Sequence, residues 1–184
     1  MYRYLEQKNF AAFSEKRCKR LFKQLVDALN YGSKRGINHR DLKLENLIII
    51  NPSNNAEPNP EERLVIIDWG LCAVDAETKS SERWVGSPDY VAPEILLHET
   101  YVPEKADVWS LGVLLFILLT GKLPFHKKKR YSMLRIRQHP PVSFPLDAID
   151  KLSDDAKNLI ERLLEFKTDA RIDLAGILKH PWLR

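Results

Sequence analysis

From Ser14 onward the chain keeps a helical rhythm. Cys18, Leu21, Phe22, Leu25, Val26 and Leu29 recur at i, i+3, i+4 and i+7, while Lys16, Lys19 and Lys23 fall off that stripe. The spacing predicts an amphipathic helix ending near YGSKRG (31–36), where Gly32 and Gly36 permit left-handed turns. Two β-rich runs follow, NLIII (46–50) and RLVIID (63–68), and predict a small hairpin. Between them NPSNNAEPNPEE (51–62), rich in Pro, Asn and Glu, reads as a flexible insertion without a core role.

After residue 90 the pattern is helical throughout. An apolar run over 104–120 ends at Thr120-Gly121, and a short helix around Ser132 to Gln138 precedes the proline-rich HPPVSFP (139–145). Ser153 is placed to cap DDAKNLIERLLEF, with Asp154 and Asp155 in the first turn, where the helix dipole favours negative charge. Ala156, Leu159, Ile160, Leu163 and Leu164 share one face of that helix. Asp173 caps a last helix that stops before Pro181. The expected fold is mainly α with one small β-hairpin.

Composition changes this picture little. A chain of 184 residues with 44% hydrophobic and 29% charged residues fits one globular domain. The formal charge of +4 points to no nucleic-acid partner. HKKKR (126–130) reads first as a solvated basic loop and only second as a nuclear-import or acidic-partner patch. Cys18 and Cys72 form no framework, and MYRYLEQKNF has no apolar signal core. Free thiols and an intracellular location, cytoplasmic and/or nuclear, are expected. The run VWSLGVLLFILLT (108–120) is too short for a bilayer and follows Asp107, so it predicts a buried helix and no membrane span.

The chemistry concentrates in INHRDLKLENLIII (37–50). A phosphoryl-transfer site needs a carboxylate for the attacking hydroxyl, a cation for the moving charge and oxygen ligands for Mg²⁺. Asp41, Lys43 and Asn46 offer all three on one loop. Asp68, at the end of the second β-run and close to the flexible Gly70, offers a further carboxylate for Mg²⁺.

HRDLKLEN (39–46) resembles the catalytic loop of protein kinases at every functional position. DWG (68–70) is similar to that family's D-F-G, with Trp69 for Phe, and GSPDYVAPE (86–94) resembles the segment ending in A-P-E. DVWSLGVLLFILLTGKLPF (107–125), Arg171-Ile172 and the closing HPWL (180–183) match later features of the large lobe in order. The details are similar to serine/threonine kinases of the calcium/calmodulin-dependent and AMP-activated branch. The resemblance implies ATP and Mg²⁺ as cofactors and protein serine or threonine as substrate. It implies that Asp41 orients the hydroxyl, Lys43 stabilises the γ-phosphoryl, Asn46 and Asp68 hold Mg²⁺, and Ile48 floors the adenine. It further implies packing or activation-segment roles for His39, Arg40, Trp69, Gly70 and Ser87. Asp107 would tie the buried helix to the loop, and Glu94 would pair with Arg171. Glu45 either reads a basic residue in the substrate or is an exposed helix-start acid.

Some of the pattern is missing. No G-x-G-x-x-G and no strand lysine occur before residue 39; Lys8, Lys16, Lys19 and Lys23 fall in helical or turn patterns, and Glu6 and Glu15 sit in the large-lobe part. The expectation is a partial kinase domain over 1–184: the large lobe, with the small β-rich lobe absent. ATP·Mg²⁺ binding by this chain alone should then be weak. An apolar surface including Ile48 and Trp69 should await a small-lobe or regulatory partner. The alternative function is a catalytically inactive binding or scaffold module. Arg83 stands where many relatives carry a phosphorylatable Thr, leaving Thr78, Ser80 and Ser81 as candidates.

Overall fold

The computed structural model describes residues 1–7, 9–51, 61–72, 86–125 and 142–184. The expected loop tip at 52–60, the basic run 126–130, the short helix at 132–138 and the candidates Thr78, Ser80, Ser81 and Arg83 lie outside the described residues.

A short helix α1 (Tyr2–Gln7) leads into α2 (Glu15–Ser33). Ser14 caps α2 with its hydroxyl on the Arg17 amide, and the predicted stripe from Cys18 to Leu29 is buried. The helix end differs in detail from the expectation. Gly36 takes the left-handed conformation (φ 74°), whereas Gly32 stays helical. A Cβ at Gly32 would come within 3.1 Å of the Ile37 carbonyl, so close backbone approach is what this position needs.

Strands β1 (Leu47–Ile50) and β2 (Arg63–Ile66) pair antiparallel, with Leu47 opposite Ile66 and Ile50 opposite Arg63. Leu47, Ile49, Leu64 and Ile66 face the core, while Ile48, Ile50 and Val65 face outward. Period-two alternation on a half-covered sheet gives this division.

The other helices are α3 (Pro93–Leu96), α4 (Pro103–Thr120), α5 (Leu146–Ile149), α6 (Asp154–Leu163) and α7 (Leu174–Lys179). Helix α4 runs through the centre, and every residue of it except Glu104 and Lys105 is buried. That explains its continuous apolar sequence: a helix surrounded by protein has no polar face. It stops at Gly121 (φ 70°), where a Cβ would lie 2.1 Å from the Phe10 carbonyl oxygen. Helix α6 crosses α4 at Gly112, where any side chain would meet Leu163 and Leu164 within 2.9 Å. Ser153 and Asp173 cap α6 and α7 through the amides of Ala156 and Gly176. Among the described residues, no helix is long and apolar enough to cross a membrane.

One residue of the expected flexible insertion behaves differently. Glu62 is only 3% exposed. Its carboxylate takes hydrogen bonds from Arg17 at 2.7 and 3.0 Å and from Arg20 at 3.0 Å. Burying an unpaired carboxylate is prohibitive, and two guanidinium partners make it tolerable. The insertion therefore ends before Glu62, which belongs to the scaffold.

Candidate active site

The loop from Asn38 to Asn46 is held from below by α4. Asp107, almost fully buried, accepts the backbone N–H of His39 at 2.7 Å and of Arg40 at 2.8 Å. These bonds stabilise a turn in which Arg40 adopts φ 66°, a conformation L-residues other than Gly, Asn and Asp seldom take. Burial pushes the Asp107 carboxyl up to about 7, against the lowering effect of those two amides. Three residues along the same helix, Ser110 donates to the Tyr90 carbonyl at 2.9 Å and ties the GSPDYVAPE segment to α4.

His39 is completely buried between two elements of the site. Its Nδ1 accepts the Asp41 amide at 3.3 Å, and its Nε2 lies 3.1 Å from the Ile67 carbonyl. This pairing assigns the proton to Nε2 and makes the ring neutral. Burial accordingly lowers its pKa from the ordinary value. The ring also packs against Trp69, with centroids 4.7 Å apart. Arg40 turns its guanidinium to the carbonyls of Leu71 (2.6 Å) and Cys72 (3.3 Å), just after the DWG triplet.

Asp41 sits at the centre of a closed ring. Lys43 Nζ donates to its Oδ2 at 2.6 Å and to Ser87 Oγ at 3.1 Å, and Ser87 Oγ donates to Asp41 Oδ1 at 3.1 Å. Asn46 Nδ2 donates to the Asp41 carbonyl at 2.9 Å, which leaves its own carbonyl oxygen as a possible cation ligand. Sequence reasoning did not single out Gly86. It has φ 103°, and a Cβ there would lie 3.0 Å from the Arg40 carbonyl and 3.8 Å from Asp41 Oδ1. The glycine in front of Ser87 was the available signal; why it is needed emerges only in three dimensions.

Asp68 follows β2 by two residues and is exposed, with φ 63° and no ion pair among the described residues. A Cβ on Gly70 would lie 3.3 Å from Asp68 Oδ1, so the glycine leaves that carboxylate room. The Ile67 amide donates to the Asn46 carbonyl at 2.9 Å, so the hairpin brings the backbones carrying Asn46 and Asp68 to one end. An amide oxygen and a carboxylate are hard donors suited to Mg²⁺, which takes its remaining ligands from phosphate and water. Among the described residues, no cluster of three or more His, Cys, Asp or Glu side chains could hold a metal without such help. Ile48 is 42% exposed and Trp69 36%.

Further from the loop, Arg171 is 1% exposed and forms a two-pronged pair with Glu94 at 2.7 and 3.0 Å. It also donates to the carbonyls of Glu165 and Lys105 and lies over the Trp109 ring. Glu45 is exposed.

The protein kinase domain family matches residues 1–183. The chain belongs to the protein kinase family. Its relatives include calcium-dependent protein kinase 4 of Plasmodium berghei, 36% identical over 94% of this chain and 31% of that protein. CBL-interacting serine/threonine-protein kinase 5 of Arabidopsis thaliana is 38% identical over 92% of this chain and 36% of its own length. Serine/threonine-protein kinase GIN4 of Saccharomyces cerevisiae is 38% identical over 90% of the chain and 14% of its own length. This kinase chain thus spans about a third or less of these relatives. All three align across nearly all of it, so the likeness is to serine/threonine kinases and extends well beyond the short motifs.

Proposed function

We propose that these residues form the floor of a site that transfers the γ-phosphoryl of ATP to serine or threonine hydroxyls of proteins. The observation that carries the reading is the ring of Asp41, Lys43 and Ser87, with Asn46 bonded to it from below. Asp41 is buried, with its carboxylate oxygens taken up by Ser87 and Lys43, so an incoming hydroxyl would displace Ser87 or Lys43 and donate its proton to the carboxylate oxygen so freed. The substrate oxygen then bonds to phosphorus as the bond to the leaving diphosphate breaks. Lys43 supplies positive charge beside that transfer, where preorganised electrostatics matter most. Asn46 and Asp68 would hold Mg²⁺, which would supply positive charge to the phosphates. Ile48 provides the apolar floor for adenine.

The 184 residues contain no G-x-G-x-x-G of the kind that covers the phosphates in the protein kinase family. The exposed apolar side chains Ile48, Ile67 and Trp69 fit such a cover, and they equally favour a second reading as a docking lobe without transfer. The test is phosphorylation of Ser/Thr peptides with ATP·Mg²⁺ by a polypeptide carrying both lobes, wild type against Asp41→Asn. Transfer lost on Asp41→Asn supports the enzyme; transfer unaffected by it overturns the assignment. These 184 residues alone should give little ATP·Mg²⁺ thermal shift.

A further inference from the structure

Strand β2 delivers Asp68 to the site, and the apolar alternation of the hairpin fixes which face of β2 meets the core but not its alignment in steps of two along β1. The strands are four residues each and are joined by residues 51–62. A two-residue turn would define the register by itself; this connection is longer. A slip of one position would turn the core-facing residues outward, but a slip of two would keep the faces while removing the Ile67 amide from the Asn46 carbonyl and carrying Asp68 away from it.

The outer edge of β2 carries a clamp from α2. Gln24 uses its side-chain amide as a substitute strand: its Oε1 accepts the Leu64 N–H at 2.9 Å, and its Nε2 donates to the Glu62 carbonyl at 3.0 Å. Immediately before β2, the buried Glu62 carboxylate is forked by Arg17 and held again by Arg20. Arg17 is itself fixed, donating to the Tyr4 hydroxyl at 3.0 Å and lying 4.1 Å over the Phe13 ring. A carboxylate buried among these groups has one place to go. Shifting β2 by two residues would strand Glu62 away from both cations and pull Leu64 off Gln24.

We propose that Glu62, gripped by Arg17 and Arg20 and backed by Gln24, is a positioning residue that locks the register of β2 and so sets Asp68 against Asn46. That this juxtaposition serves Mg²⁺ rests on the phosphoryl-transfer reading; the lock does not. It acts through the backbone, from the far end of a strand that rises about 3.3 Å per residue.

Amide hydrogen exchange on the whole chain tests it, comparing wild type with Glu62→Gln. The expected result is exchange at Leu64 and Ile67 faster by about tenfold or more, with the amides of α4 nearly unchanged. Unaltered Ile67 exchange, or acceleration of all amides together, overturns the lock, because a merely stabilising pair would move the whole fold. If Glu62→Gln does not fold, Arg20→Gln removes one of the two cations and should give the same local pattern in weaker form. Mn²⁺ as a paramagnetic probe separates the two ideas. With ATP present to supply the phosphate ligands, it should broaden the Asn46 side-chain amide and the Asp68 amide together in wild type, and in Glu62→Gln only at higher Mn²⁺. Faster Ile67 exchange in Glu62→Gln with no Mn²⁺ broadening in wild type would uphold the lock and remove the metal assignment.

Discussion

Asp107 holds the amides of His39 and Arg40 with its two carboxylate oxygens, across 68 and 67 positions of sequence. One side chain of the buried helix thus supports the strained turn that presents Asp41. Asp107→Ala would leave both amides without an acceptor, and each such buried group costs about 1–3 kcal/mol. The expected outcome is a lower urea midpoint, with the loss greater than for Ser110→Ala, which removes a single bond.

The same carboxyl predicts a pH dependence. Its folded pKa of about 7 stands above the ordinary carboxylate value, because burial outweighs the two amide donors. Its contribution to stability is therefore complete below about pH 4 and is lost as pH rises through about 7. His39 acts in the opposite direction: its lowered pKa contributes stability above the ordinary histidine value, lost as pH falls through the folded one. Urea midpoints of wild type and Asp107→Asn separate the two, since only the wild type titrates at position 107. The stability advantage of wild type should be larger at pH 5 than at pH 8.

Arg171→Met should be among the most destabilising single changes in the chain. It leaves Glu94 buried without a cation, and breaking one partner of a buried pair costs about 3–5 kcal/mol. Arg171→Lys should recover little, because one ammonium cannot serve both Glu94 oxygens and the carbonyls of Glu165 and Lys105. Thermal melts of the two variants, side by side, check this.

Gly112→Ala tests the contact between α4 and α6. Its new Cβ would stand 2.7 Å from Leu164 Cδ2, and overpacking of that kind costs about 1–3 kcal/mol. Alanine favours a helix over glycine by about 1 kcal/mol, so a net loss of stability would show that packing outweighs propensity here.

Ser87→Ala removes the hydroxyl that bridges Asp41 and Lys43 but leaves their own ion pair. In a two-lobed polypeptide, transfer to Ser/Thr peptides should fall about tenfold, worth ~1.4 kcal/mol in the barrier, with the melting temperature nearly unchanged. Ser87→Thr should keep most of the rate.

Much of this was readable from local pattern. The α2 stripe, the caps at Ser14, Ser153 and Asp173, and the hairpin all leave marks within a few residues of themselves. The resemblance to kinases was equally plain, since HRDLKLEN and DWG are contiguous. Charge buried through distant partners was legible only where the kinase resemblance reached it, at Asp107 and at Glu94 with Arg171. Arg17 and Glu62 lie 45 positions apart, and each looks like ordinary surface polarity until folding brings them together. Gln24 posing as a strand partner leaves no sequence mark at all. Nothing local distinguishes a glycine needed for φ, such as Gly36, from one needed for closeness, such as Gly32.

Arg40 and Asp68 share a property that bears on how such a chain changes over time. Both hold left-handed backbone conformations that glycine would adopt without strain. A glycine at either position would ease the main chain and at once delete the guanidinium that grips Leu71 and Cys72, or the carboxylate at the hairpin's end. Comfort of the fold and retention of its chemistry therefore pull in opposite directions at these two sites. Relaxed from the need to act on a substrate, the chain would have an easy route to a calmer and chemically silent form; keeping both residues means declining it.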